Sequence, residues 1–167
     1  MERTLVILRH AKADRPAGVA DPDRPLTQRG HADAAAAGAW LAARGYRPRL
    51  VLCSPSKRTR QTWRGVAVAL TGPDPLEVHY DQVLYHGDAE DLLDLLRAVP
   101  ETVGSVLLIG HNPTVSMLSG LLDRGTDRDS DGLRTSGIAV HTQDGGWIDL
   151  SPGSAPVTGS YTARASG

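Results

Sequence analysis

Two apolar runs that end in histidine constrain this chain more than any other feature. Leu5-Val6-Ile7-Leu8 leads into Arg9-His10, and Val106-Leu107-Leu108-Ile109 leads into Gly110-His111-Asn112-Pro113. Neither run alternates apolar with polar residues, so each reads as a strand covered on both faces, as in a parallel sheet. A buried strand has no packing use for such an ending, so the endings are read as chemistry. Leu50-Val51-Leu52-Cys53 is a third strand of the same kind.

Helix signals separate the strands. After a polar loop from Ala13 to Pro25, Thr27 caps a helix that runs through Ala34-Ala37 and Trp40-Leu41 to about Arg44 and stops at Gly45, before Pro48. Ser54-Pro55 supplies a cap and a first-turn proline for a second helix that carries Arg58, Gln61 and Thr62 and continues to about Leu70. A short strand near Leu76 to His79 precedes a third helix, capped by Asp88, rich in leucine and stopped at Pro100. Asn112-Pro113 opens a fourth, ending near Leu122, and a charged loop runs from Asp123 to Thr135. Two closing strands, Gly137 to Thr142 and Trp147 to Leu150, are joined by Asp144-Gly145-Gly146. Residues 151–167 are polar and small and read as a loose tail.

This alternation predicts an α/β fold: a three-layer α/β/α sandwich with a mostly parallel sheet, right-handed crossovers and an antiparallel edge. The 167 residues, 40% hydrophobic, fit one domain over residues 1–150. Eighteen basic against nineteen acidic residues leave a net charge of -1. That balance argues against a nucleic-acid or membrane surface as the chain's main business, so an anion it binds is expected to be small and held locally. The lone Cys53 ends an apolar run and reads as a buried small residue. No run approaches a membrane span and Met1-Glu2-Arg3-Thr4 leads straight into a strand, so a cytoplasmic protein is expected.

In such a sheet Arg9-His10, Ser54 to Arg58 and His111 all lie at the carboxyl edge, where ligands bind. Two helix amino termini there favour an anion, and arginine forks match phosphate oxygens. A neutral imidazole among arginines suggests nucleophilic attack on phosphorus through a covalent phosphohistidine. His10 is the expected nucleophile, with Arg9, Arg58 and His111 holding the non-bridging oxygens. The scheme calls for no metal and no cofactor. The chain has no phosphate loop of the Gly-x-x-x-x-Gly-Lys type, no His-Glu-x-x-His, and no close metal-ligand spacing among its six histidines. Lys57 and Arg60 read as solvated helix charges, His31, His79 and His141 as surface histidines, and Trp40 and Trp63 as packing residues. Asp14, Arg15 and Arg24 in the first long loop and Arg124, Arg128 and Arg134 in the last are candidates for shaping substrate choice, although most loop charges face water.

The Arg9-His10 ending, the stretch Ser54-Pro55-Ser56-Lys57-Arg58-Thr59-Arg60-Gln61-Thr62 and Gly110-His111-Asn112-Pro113 resemble, in order and spacing, three signatures of the histidine phosphatase superfamily. That superfamily shares the phosphoglycerate mutase-like fold. Within it the chain is most similar to short bacterial phosphohistidine phosphatases, by its size, Ala11 after the histidine, Arg24-Pro25-Leu26-Thr27 and Thr135-Ser136-Gly137-Ile138-Ala139. The resemblance covers residues 4–150 and implies His10 as the phosphorylated residue, with Arg9, Arg58 and His111 completing the phosphate pocket.

Many ester-cleaving members carry a glutamate general acid about two dozen residues after the pocket arginine. Here that stretch reads Asp81-Gln82-Val83-Leu84-Tyr85-His86, without glutamate; Asp81 or His86 is the remaining candidate proton donor. An alkoxide needs a proton to leave, whereas the nitrogen of a phosphoramidate leaves more readily. The expected activity is therefore a metal-independent phosphatase acting on phosphohistidine or another phosphoramidate. Its partner would be a phosphorylated small molecule or a phosphohistidine-bearing protein, with the oligomeric state open. Alternatives are a phosphomonoesterase of small sugar or nucleotide phosphates, and a non-catalytic module that binds phospho-ligands.

Overall fold

The computed structural model describes residues 2–125 and 132–166. Along the chain come β1 (Glu2–Arg9), α1 (Gln28–Ala43), β2 (Leu50–Cys53), α2 (Lys57–Ala67), β3 (Glu77–Tyr80), α3 (Val83–His86), α4 (Ala89–Arg97), β4 (Ser105–Gly110), α5 (Thr114–Arg124), β5 (Gly137–Asp144) and β6 (Val157–Thr162). Single 3-10 turns occupy Asp21–Asp23 and Trp147–Asp149. The strands form one sheet in the order β3-β2-β4-β1-β5-β6. The first four of these strands run parallel, and β5 and β6 are antiparallel additions.

Alternate residues of the parallel strands feed two separate cores, which accounts for the absence of polar alternation in their sequences. Val6, Leu8, Val51, Cys53, Leu107 and Ile109 pack with Ala37 and Leu41 of α1 and with Trp63 and Val66 of α2. Leu5, Ile7, Leu50, Leu52, Val106 and Leu108 pack on the other face against leucines of α4 and α5 and against Trp147. The result is three layers, α/β/α. On one face α1 and α2 approach closely, since a Cβ on Gly38 would meet the Val66 carbonyl. The direction in which the connections cross the sheet reverses between the parallel neighbours β1 and β4: β1 leads through α1 toward β2, and β4 leads through α5 across to β5. That switch point is the expected ligand crevice.

The closing segment differs from its sequence reading. Trp147 to Leu150 is not a strand; Trp147 is fully buried and its indole N–H donates to the Val103 carbonyl at 2.6 Å. The second antiparallel strand is β6, inside the stretch read as a loose tail. Backbone N–H of Ala163 donates to the Ser136 carbonyl at 3.0 Å, and that of Ala165 to the buried Asp33 carboxylate at 2.8 Å. The polar sequence of β6 fits an edge strand paired on one side, where periodicity of burial is weak. Its return also covers His141, which is fully buried and not a surface histidine. His31 and His79 are exposed, as expected. Arg128 lies outside the described residues. No helix among the described residues is long and apolar enough to cross a membrane.

Candidate active site

The register carries the three motifs to one level. Beyond the strands themselves, His10 N–H donates to the Gly110 carbonyl and Ser54 N–H to the Ile109 carbonyl, both at 3.1 Å. Arg9-His10, Ser54 and His111 therefore leave neighbouring strands side by side. Arg9, His10 and His111 line a cleft of about 380 Å³, together with the basic residues Lys12, Arg15, Arg24 and Arg58 and, among the described residues, a single acid, Asp21. Asp14, Arg124 and Arg134 are not among the lining residues.

The stretch after β2 is wired as a rigid mount. The structure makes Ser56, not Ser54, the cap of α2: its hydroxyl accepts from Thr59 N–H, and Thr59 Oγ1 donates back to the Ser54 carbonyl at 2.6 Å. Two serines flank Pro55, and only the second is placed to close the first turn. Ser54 is thereby free to bond His111 Nε2 at 2.8 Å. Thr62 Oγ1 accepts from Ala11 N–H at 3.0 Å, and Gln61 Oε1 from Leu26 N–H at 2.8 Å. Those bonds fix the loop after β1 against α2, which carries Arg58.

His10 is 8% exposed, and its Nδ1 lies 2.7 Å from the Ala11 carbonyl. A carbonyl only accepts, so Nδ1 carries the hydrogen and the lone pair sits on Nε2. Burial pushes the His10 pKa down from 6.5 to about 4, with Arg58, Arg9 and Arg24 adding to the shift. The ring is neutral at neutral pH. His111, whose ring centroid is 5.3 Å from that of His10, is pushed down to about 3 by burial, with His10 and Arg58 as further causes.

Three buried nitrogens at this cleft have no hydrogen-bond partner among the described residues: Arg9 Nε, Arg58 Nε and His111 Nδ1. Each such group is costly to leave unpaired, and a tetrahedral oxyanion supplies the matching acceptors. The outer edge of Arg58 is occupied: its Nη1 donates to the Asp21 carbonyl at 2.8 Å and its Nη2 to Asp21 Oδ2 at 3.0 Å. Arg24 Nη1 donates to Asp21 Oδ1 at 3.1 Å, and the Tyr85 hydroxyl donates to Oδ2. Arg9 Nη1 and Asn112 Nδ2 both donate to the Leu133 carbonyl.

The four central residues expected from sequence are thus brought together, and the two expected proton donors are not. Asp81 Oδ1 accepts from Val83 N–H at 2.9 Å at the start of α3, and His86 is exposed; neither lines the cleft. Sequence reasoning missed Asp21 and Tyr85. Nothing local marks Asp21 as the partner of an arginine 37 positions away. Tyr85 stood inside the window searched for an acid, and its hydroxyl was the available signal.

A sheet with a phosphate-sized cationic cleft at its switch point and two facing histidines defines a phosphoryl-handling enzyme. Residues 5–95 match the family described as histidine phosphatase superfamily, branch 1. An uncharacterized protein of Mycobacterium tuberculosis is 39% identical over 164 residues, covering 94% of this chain and all of that protein. Two solved structures are similar over nearly the whole length. One is a candidate phosphohistidine phosphatase SixA from Nakamurella multipartita, at TM-score 0.83 and 33% identity, covering 98% of this chain and 97% of that one. The other is the protein histidine phosphatase SixA complexed with tungstate, at TM-score 0.79 and 30% identity, covering 95% and 96%. The chain belongs to the histidine phosphatase superfamily, and it is a phosphoric-group hydrolase.

Proposed function

We propose that this enzyme hydrolyses the N–P bond of phosphohistidine, or of a similar phosphoramidate, through a phosphoryl group carried on His10 Nε2. The observation that carries the reading is the fixed tautomer of His10, with a free Nε2 lone pair beside three unpaired nitrogens suited to phosphoryl oxygens. In the first step Nε2 forms a bond to phosphorus as the substrate's N–P bond breaks, and the bonding pair leaves on the substrate nitrogen. A substrate imidazole protonated on its other nitrogen departs neutral. Arg9, Arg58 and His111 hold the equatorial oxygens and oppose the shifting charge. In the second step water attacks phosphorus, His10 takes back its electron pair, and the water's proton ends on phosphate or solvent. Throughout, Nδ1–H stays on the Ala11 carbonyl, so the ring returns to the neutral form it began in.

The preference for nitrogen over an alkoxide rests on Asp21, the one carboxyl group that lines the cleft among the described residues. Asp21 is held well below the ordinary carboxylate range, chiefly by the Tyr85 hydroxyl and then by Arg24 and Arg58. It is ionised at neutral pH and has no proton to give. With no protonated carboxyl group lining the cleft among the described residues, the better leaving group is favoured. A paired assay with chelator present tests the reading: phosphohistidine against para-nitrophenyl phosphate. A preference for phosphohistidine of at least about tenfold, lost in His10→Ala, is expected. Equal or faster ester turnover would overturn the substrate class, and inactivity on both with intact phosphate binding would leave only a binding module.

A further inference from the structure

The outer face of α2 departs from what helix stability favours. Its sequence holds Lys57, Arg58, Arg60 and Arg64 and no acidic residue. Three of these cations sit in the first turns, where the helix dipole disfavours positive charge. Arg58 is explained by the cleft. Lys57, Arg60 and Arg64 lie on the opposite side, within about 60° of one another at 100° per residue, away from the buried Thr59, Thr62, Trp63 and Val66.

Lys57, Arg60 and Arg64 border a groove of about 370 Å³ together with Pro22, Asp23 and Pro55. Asp23 is the acid lining it. The groove adjoins the catalytic cleft, because the turn Asp21–Asp23 forms a wall of both. Lys57 and Arg64 are exposed, and neither has an ion pair among the described residues. Arg60 is held in place: its Nε donates to the Pro55 carbonyl at 2.8 Å, and its guanidinium lies 4.0 Å from the centre of the Tyr80 ring. An arginine packed on an exposed tyrosine is a pre-set contact of the type that anchors interfaces. From Lys57 to Arg64 the helix advances about 10 Å, so the charge forms an extended band rather than a point contact for one phosphoryl group.

We propose that this face of α2 docks an acidic stretch of polypeptide flanking the phosphohistidine that the cleft receives. The assignment rests on the N–P reading above and narrows its substrate to phosphohistidine carried in an acidic protein segment. Charge complementarity raises the rate of encounter and sets the orientation in which the phosphorylated ring enters. The net charge of -1 means that this basic band is a local feature, set against a chain with as much acid as base.

Two synthetic peptides bearing one phosphohistidine each, flanked by glutamates in one and glutamines in the other, present the same leaving group in opposite surroundings. The wild type is expected to favour the glutamate peptide by about tenfold in kcat/KM, through KM, with the preference shrinking as salt rises. Lys57→Glu/Arg64→Glu abolishes the preference, Lys57→Gln/Arg64→Gln halves it or more, and both leave turnover of free phosphohistidine unchanged. Equal turnover of the two peptides by the wild type, or an undiminished preference in the Glu variant, overturns the docking face while N–P hydrolysis stands. Turnover of neither peptide removes the phosphohistidine reading and the docking face with it. An oligonucleotide bound through Lys57 and Arg64, with no peptide preference, reassigns the face to nucleic acid and also overturns the proposal.

Discussion

His10 and His141 are buried to nearly the same degree and begin the same way. Each ring lies with Nδ1 2.7 Å from a backbone carbonyl, that of Ala11 for His10 and that of Ala155 for His141. Burial pushes the pKa of each ring down, toward favouring the neutral form. They part at the second nitrogen. His141 Nε2 is 2.8 Å from Ser119 Oγ, so both ring nitrogens are spent on joining β5, α5 and the segment before β6. His10 Nε2 keeps its lone pair beside two arginines. Burial and a depressed pKa therefore do not identify a reactive histidine; an uncommitted nitrogen facing a cationic cleft does.

The largest expected break in that comparison comes from replacing each ring. His10→Ala should lower kcat by about 10⁴-fold or more and abolish a phosphoenzyme trapped by acid quench. An activity loss of less than tenfold would move the nucleophile elsewhere. His141→Ala should leave kcat within about twofold while destabilising the fold by about 2 to 3 kcal/mol, through the cavity and the stranded Ala155 carbonyl and Ser119 hydroxyl. Urea unfolding separates the two outcomes. A His141 variant that is stable but inactive would dissolve the distinction.

Next in size is Arg58→Lys, which keeps a charge but loses the fork held by Asp21. A loss of about 10² in kcat is expected, with the fold unchanged. The pH profile sharpens the same point. The proposal makes His10 a neutral nucleophile, and burial pushes its pKa down to about 4, so kcat/KM should stay level from pH 7 to about 5 and fall as protonation sets in near 4. A fall centred at 6.5 would mean an exposed imidazole. Stability follows the same sign: the unfolded chain takes up protons near 6.5 before the folded one does. Stability is therefore complete above that value and lost as pH falls toward 4.

Strand cores and the endings that line the cleft were legible because both are local: an unbroken apolar run predicts double coverage, and the residues after it inherit the edge of the sheet. The pairing of β1 with β4 then placed His10 beside His111 without further information. What the sequence hid depends on distant partners. Asp21 meets Arg58 and Tyr85 only after the loop following β1 folds over α2. The edge strand β6 carries little apolar signal, because one of its sides has no neighbouring strand, and with it the burial of His141 was lost. Ser54 and Ser56 flank the same proline and look equivalent as caps until one is seen bonded to His111.

The smallest effect tests whether the cleft contains a proton donor after all. Tyr85 donates to Asp21 Oδ2, and its ring stands edge-on to His111 with centroids 5.5 Å apart. Its pKa is raised, first by the hydrogen bond to Asp21, so the hydroxyl holds its proton firmly at neutral pH. An N–P substrate that leaves as neutral imidazole does not draw on that proton, and Asp21 keeps its two arginine partners without it. Tyr85→Phe should therefore change phosphohistidine turnover by less than about threefold. An alkoxide is basic enough to take a proton from a phenol, so residual turnover of an alkyl phosphate is where a donating Tyr85 would show. A drop of about tenfold or more there, with phosphohistidine turnover intact, would make Tyr85 the acid for esters and confine the N–P preference to a matter of degree. Equal, small effects on both substrates would leave Tyr85 as a brace for Asp21 and the ionised state of Asp21 as the basis of substrate choice.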